Sequence, residues 1–138
     1  MEDILAAIPQ RPPFLFIDKI IKKEGNSVTT QRKLREDEYF FQGHFPGNPI
    51  MPGALLCEAC FQTGAILMGA DKKPGLGVVT RIKDTKFKNF ARPGDTLTIT
   101  VVLDDKIANA YYMRGTIWVD DKLILKTTFQ GALLSTDI

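Results

Sequence analysis

The sequence predicts an α+β chain in which about six antiparallel strands curve round one long central helix, and three observations carry that expectation. The run GALLCEACFQTGAILMGA, residues 53–70, is apolar or small at almost every position, follows Pro52 and contains no proline, so it reads as a helix buried on nearly every side. The segments flanking it are rich in β-formers and are separated by turn signals. The lengths also agree, since about seventeen helical residues at ~1.5 Å each and about eight strand residues at ~3.3 Å each both span ~25 Å. One sheet covers only part of such a helix, so a second copy of the chain is expected over the remainder, giving an obligate homodimer.

Taken in order, Ile4, Leu5 and Ile8 share a face of a short opening helix that Pro9 ends. Residues 14–24 read as a strand, Gly25-Asn26 as a turn, and residues 27–34 as the second arm of a hairpin. The charged stretch Arg35 to Glu38 leads into a loop rich in glycine and proline and then into the helix. Residues 71–75 read as a loop and Leu76 to Asp84 as a strand. Beyond it lies a basic stretch with interleaved phenylalanines, Lys86 to Arg92. After the turn at Pro93-Gly94-Asp95, Thr96 to Leu103 begins with clean period-two alternation. Two more strands, Ala110 to Val119 and Leu123 to Leu134, flank a short turn at residues 120–122. No repeat or linker interrupts the chain, so residues 1–138 are read as a single domain, long enough to bury roughly two-thirds of its unfolded surface.

Composition excludes several classes of function. With 44% hydrophobic residues, 25% charged residues and a formal net charge of +2, the chain is no polycation, and bulk charge gives no support to nucleic-acid binding. The acidic opening at Glu2 and Asp3 is unlike a signal peptide, and the apolar helix is shorter than a bilayer span. A cytoplasmic protein with no membrane insertion is expected. Cys57 and Cys60 are the only cysteines and His44 the only histidine, too few ligands for a zinc site, so both thiols are read as reduced and buried and no metal is expected.

The chemistry-bearing residues cluster between positions 40 and 62. Glu58 is the one charge inside the apolar helix, and burying a carboxylate is costly unless it is paired, hydrogen-bonded or used. Histidine and a desolvated carboxyl together make a general acid/base pair, and the N–H of Gly53 at the helix start is a donor for developing negative charge. That set suits removal of a proton next to a carbonyl followed by loss of a neighbouring hydroxyl. Plainer roles exist for each group: a structural histidine, a Glu58 satisfied by Gln62 one turn later, and a polyproline ligand in Pro46, Pro49 and Pro52.

The run FFQGHFPGNPIMPG at residues 40–53, continuing through Glu58-Ala59 and Gln62, resembles the signature of the FabZ-type (3R)-hydroxyacyl-acyl-carrier-protein dehydratases. Likeness extends to residues 4–18, with RPPFLFID, and to residues 82–95, with KFKNFARPGD. The resemblance implies the hot-dog fold and dehydration of (3R)-hydroxyacyl-acyl-carrier protein to the trans-2-enoyl product in fatty-acid biosynthesis. His44 would take the C2 proton and Glu58 would help the C3 hydroxyl leave, the two coming from different subunits of a dimer. Gly53 would donate to the thioester carbonyl, Ile50 would orient the imidazole through its carbonyl, and Gln62 would hold Glu58. Related dehydratase/isomerases carry aspartate at the Glu58 position. The partner implied is acyl-carrier protein with its phosphopantetheine arm, no cofactor is implied, and the assembly implied is a trimer of dimers. Val78 and Val79 stand where the family often has a gating tyrosine, so a wider acyl tunnel is expected. Of the basic residues Arg81, Lys83, Lys86, Lys88 and Arg92, the last three are the candidates to dock the acidic carrier. A hot-dog acyl thioesterase and a non-catalytic carrier-binding paralogue are the alternatives.

Overall fold

The computed structural model describes residues 1–69 and 76–134. The loop expected over residues 71–75 and the last helical position, Ala70, lie outside them. Among the described residues, three helices, α1 (Glu2–Ala7), α2 (Tyr39–Gly43) and α3 (Gly53–Gly69), accompany six strands, β1 (Lys19–Glu24), β2 (Ser27–Lys33), β3 (Leu76–Phe87), β4 (Thr96–Ile107), β5 (Ala110–Val119) and β6 (Lys122–Leu134). All pair antiparallel in one sheet of order β1-β2-β4-β5-β6-β3. Helix α3 packs against five of these strands, so it occupies the hollow of the curved sheet.

Turn chemistry fixes the hairpins. Gly25 takes φ +57° between the paired residues Glu24 and Ser27, a conformation that costs glycine little. The first strand begins at Lys19 rather than near Phe14, because the main chain of residues 14–16 has another partner. Gln62 on α3 accepts from Phe16 N at 2.9 Å and donates to Phe14 O at 3.0 Å, so an amide side chain takes the place of a neighbouring strand. The backbone groups are satisfied without a ladder. Strand β3 runs on to Phe87 and β4 to Ile107, each beyond the sequence expectation. β-Bulges near Lys83 and between Leu103 and Asp105 absorb the irregular residues.

Helix α2 has no counterpart in the sequence reading. Its N-cap is Glu38, whose buried carboxylate accepts from Arg32 Nη2 at 2.7 and 2.9 Å and from Arg35 N at 3.2 Å. Arg32 also donates to Asp18 at 3.1 Å, so one guanidinium on β2 ties the entry of β1 to the start of α2. Phe40 and Phe41 then bury themselves in the core, and α2 delivers the chain to His44.

Helix and sheet interlock by alternation of size. A Cβ on Gly115 would lie 3.0 Å from Cys60 Sγ, one on Gly64 would lie 3.0 Å from both Met113 Sδ and Phe129 Cζ, and one on Gly131 would lie 3.0 Å from Met68 Sδ. Cys60, Gly64 and Met68 are four residues apart and form one ridge of α3. Where the helix is smallest the sheet is largest, and the reverse.

Candidate active site

The chain approaches α3 through a loop whose shape is set by its own main chain. Phe45 and Asn48 exchange backbone hydrogen bonds of 3.1 and 2.8 Å, with Gly47 at φ +76° between them, and Ile50 N donates to His44 O at 2.9 Å. Met51 N donates to Ala91 O at 2.9 Å, and Arg92 Nη1 donates to Asn48 Oδ1 at 2.9 Å, which fastens this loop to the segment after β3.

That loop fixes the imidazole. His44 Nδ1 lies 3.0 Å from the carbonyl oxygen of Ile50. A carbonyl only accepts, so Nδ1 carries the proton; in the neutral ring Nε2 then holds a free lone pair. Phe45 stacks against the ring at a centroid distance of 4.1 Å. His44 is half-buried, open enough to meet a substrate.

Glu58 sits one turn inside α3, also half-buried. Burial pushes its carboxyl above the ordinary carboxylate value, and the hydrogen bond donated by Gln62 Nε2 to Oε2 at 3.1 Å pulls the other way. Gln62 is fully buried and all of its polar atoms are engaged, so Glu58 is held by a side chain that is itself immobile. The residues of α3 left partly open form one stripe, with Leu55, Glu58, Phe61 and Ala65 three or four apart. Glu58, Phe61 and Ala65 of that stripe bound a cavity of about 270 Å³, walled by Val78 and Val79 of β3 and by Met113 and Phe129. No group of residues able to hold a metal ion occurs among the described residues.

Gly53 is the first residue of α3, so its N–H belongs to the helix turn that has no intrahelical acceptor. Phe87 lies directly beside it: a Cβ there would be 2.8 Å from Phe87 Cε1. Lys86, Lys88 and Arg92 are exposed around this end of the helix, and Arg92 lies over Phe90 at 5.6 Å. Glu58 therefore shares its cavity with Val78 and Val79, His44 is bonded to Ile50, and the basic residues stand at the helix start. Sequence reasoning missed the contact of Phe87 with Gly53 and the tie from Arg92 to Asn48; the interleaved phenylalanines were the only signal for the first.

Cys57 and Cys60 are free and buried. Burial raises both thiols, helped at Cys57 by the neighbouring Glu58 carboxylate, which keeps them protonated and inert.

Comparison with known proteins adds relatives. A family model described as a FabA-like domain matches residues 8–128. The chain is 42% identical over 118 residues to a 3-hydroxyacyl-acyl-carrier-protein dehydratase FabZ of Oenococcus oeni, covering 79% of this chain and 83% of that one. It is 36% identical over 136 residues to the FabZ of Rickettsia rickettsii, covering 95% and 93%. Among solved structures, the dehydratase heterocomplex ApeI:P from Xenorhabdus doucetiae matches with a TM-score of 0.85 at 15% identity, covering 97% of this chain and 92% of that one. A Streptococcus mutans protein bound to acetyl CoA matches with a TM-score of 0.70 at 15% identity, covering 91% and 94%. At such identities the structural matches speak to the fold alone, and that fold is the hot-dog.

Proposed function

The chain belongs to the FabA-like family as a FabZ-type 3-hydroxyacyl-acyl-carrier-protein dehydratase, and we propose that His44 and Glu58 carry out its reaction. The observation that carries this assignment is the hydrogen bond from His44 Nδ1 to Ile50 O, which leaves Nε2 as the base. Nε2 takes a proton from C2 of the 3-hydroxyacyl thioester. Negative charge moves onto the thioester oxygen, where the Gly53 N–H at the start of α3 receives it. The C2–C3 double bond forms as the C3–O bond breaks, and the departing hydroxyl takes the carboxylic proton of Glu58 and leaves as water. Burial of Glu58 favours the protonated form this step needs. Return of the proton from His44 to Glu58 through water resets the pair.

The substrate arrives on acyl-carrier protein, and the exposed Lys86, Lys88 and Arg92 beside the helix start are the surface for an acidic carrier. The working unit is a homodimer in which His44 of one subunit faces Glu58 of the other, with three such dimers in the full assembly. The partly open stripe on α3 and the free edge of β3, with exposed Leu76, Ile82 and Phe87, support a covering subunit. Val78 and Val79 shape the acyl tunnel; Val78→Tyr should shift preference towards shorter chains, and an unchanged chain-length profile would count against that role.

The test is enoyl absorbance during hydration and dehydration of a 3-hydroxyacyl/enoyl thioester pair, for wild type beside His44→Ala and Glu58→Gln. Both variants should fold and lose activity by about 10² to 10⁴-fold. Free acid as product, or full activity in either variant, would overturn the assignment.

A further inference from the structure

Among the described residues, the lining of the cavity beside Glu58 is apolar except for two side chains. Phe61, Ala65, Met68, Val78, Met113 and Phe129 supply hydrocarbon, and among the described residues the only polar side chains are Glu58 and Gln10. Glu58 is accounted for by its bond from Gln62. Gln10 is not: its Oε1 is buried and finds no hydrogen-bond partner among the described residues. An amide oxygen accepts up to two hydrogen bonds, and a buried one left without any calls for an occupant.

Its position is held firmly. The guanidinium of Arg11 donates to the carbonyl oxygens of Leu5, Ile8 and Gln10, each at 2.8 Å, and so clamps the backbone just before and at Gln10. Ala7 O lies 3.6 Å from where a Cβ on Gly69 would be, while Phe14 O is bonded to Gln62. The segment between them runs back along α3 from Gly69 to Gln62. Gln10 therefore lies beyond Glu58 towards the C-terminal end of the helix, roughly 6–16 Å along its axis. A chain whose C3 is at Glu58 would bring its more distal carbons past Gln10.

We propose that Gln10 is a specificity-determining residue whose amide oxygen accepts a hydrogen bond from a second hydroxyl on the acyl chain, so that chains bearing such a hydroxyl are preferred over saturated ones of equal length. The inference rests on the dehydratase reading and names its substrate class. A site built to receive a hydroxyl rejects the analogue lacking it, because the acceptor is then left buried and unpaired. In an otherwise hydrocarbon-lined cavity, Gln10 is the group that imposes that penalty on a saturated chain.

The experiment measures kcat/KM for full-length wild type and Gln10→Leu on 3-hydroxyacyl thioesters of one length, one saturated beyond C3 and the others with a single hydroxyl at successive distal carbons. A 3-hydroxybutyryl thioester, too short to reach Gln10, serves as control. Wild type should favour one hydroxylated substrate by roughly tenfold, and Gln10→Leu should reverse that order while leaving the short substrate and the melting temperature unchanged or the latter raised. Equal turnover of all chains by wild type, or a Gln10→Leu variant that loses activity uniformly and melts lower, would overturn the inference and leave the dehydratase reading intact. Wild type inactive on every substrate, the short one included, would overturn both.

Discussion

Helix α3 shows two sides that solve opposite problems. Towards the sheet, Cys60, Gly64 and Met68 meet Gly115, the pair Met113 and Phe129, and Gly131 at distances that leave no room for another carbon. Towards the cavity, Glu58, Phe61 and Ala65 line open space of about 270 Å³. Close packing on the first side holds the helix rigidly, and that rigidity lets the second side keep a carboxyl in a costly, half-buried position. A carboxylate in the packed face would have no such use. The contrast teaches that stability and chemistry are divided between faces of one element rather than between elements.

Substitutions on the two faces should therefore fail in different ways. The largest effect is on the open side: Glu58→Gln should lower kcat by about 10² to 10⁴-fold with no loss of melting temperature at pH 7. On the packed side, Gly64→Leu should cost about 1–3 kcal/mol in urea unfolding, because the added side chain must displace Met113 and Phe129, and since these two also wall the cavity its activity should fall further than the folded fraction does. A Gly64→Leu protein as stable as wild type would mean that the interlock is looser than the distances imply.

Titration sharpens the same contrast. Burial raises the Glu58 carboxyl above its ordinary value, so the folded state holds its proton more tightly than the unfolded chain does. The stability this contributes is full below about pH 4.5, the ordinary value, and is lost as pH rises through the raised one. Glu58→Gln removes that dependence. Melting curves of the two proteins should converge in acid and separate towards neutral pH, with the variant the more stable. Parallel curves across the range would show that Glu58 titrates as it does in the unfolded chain.

The smallest effect lies farthest from the helix. Charge reversal of Lys86 and Lys88 together should raise KM for a carrier-linked substrate a few-fold at low salt and leave turnover of a small thioester unchanged, as expected for exposed charges. Binding indifferent to both salt and charge reversal would remove these lysines from the docking surface.

Much of this was legible in the residues themselves. The all-round apolar character of residues 53–70 announced a buried helix, period two announced the later strands, and the isolation of Glu58 marked it as a group with a task. The spacing of Glu58 and Gln62 was enough to place them on one helix face, because that geometry is local. Other features depended on parts of the chain distant in sequence. Residues 14–16 look like part of a strand, yet Gln62 claims the backbone of Phe14 and Phe16, and no local pattern reveals a partner about fifty residues away. The covering of Gly53 by Phe87 and the Oε1 of Gln10, without a partner among the described residues, arise in the same way. Periodicity and propensity are properties of neighbours along the chain, and they determined the elements. Which polar atoms find partners, and which are left to meet a substrate, is a property of neighbours in space, and only the tertiary structure decided it.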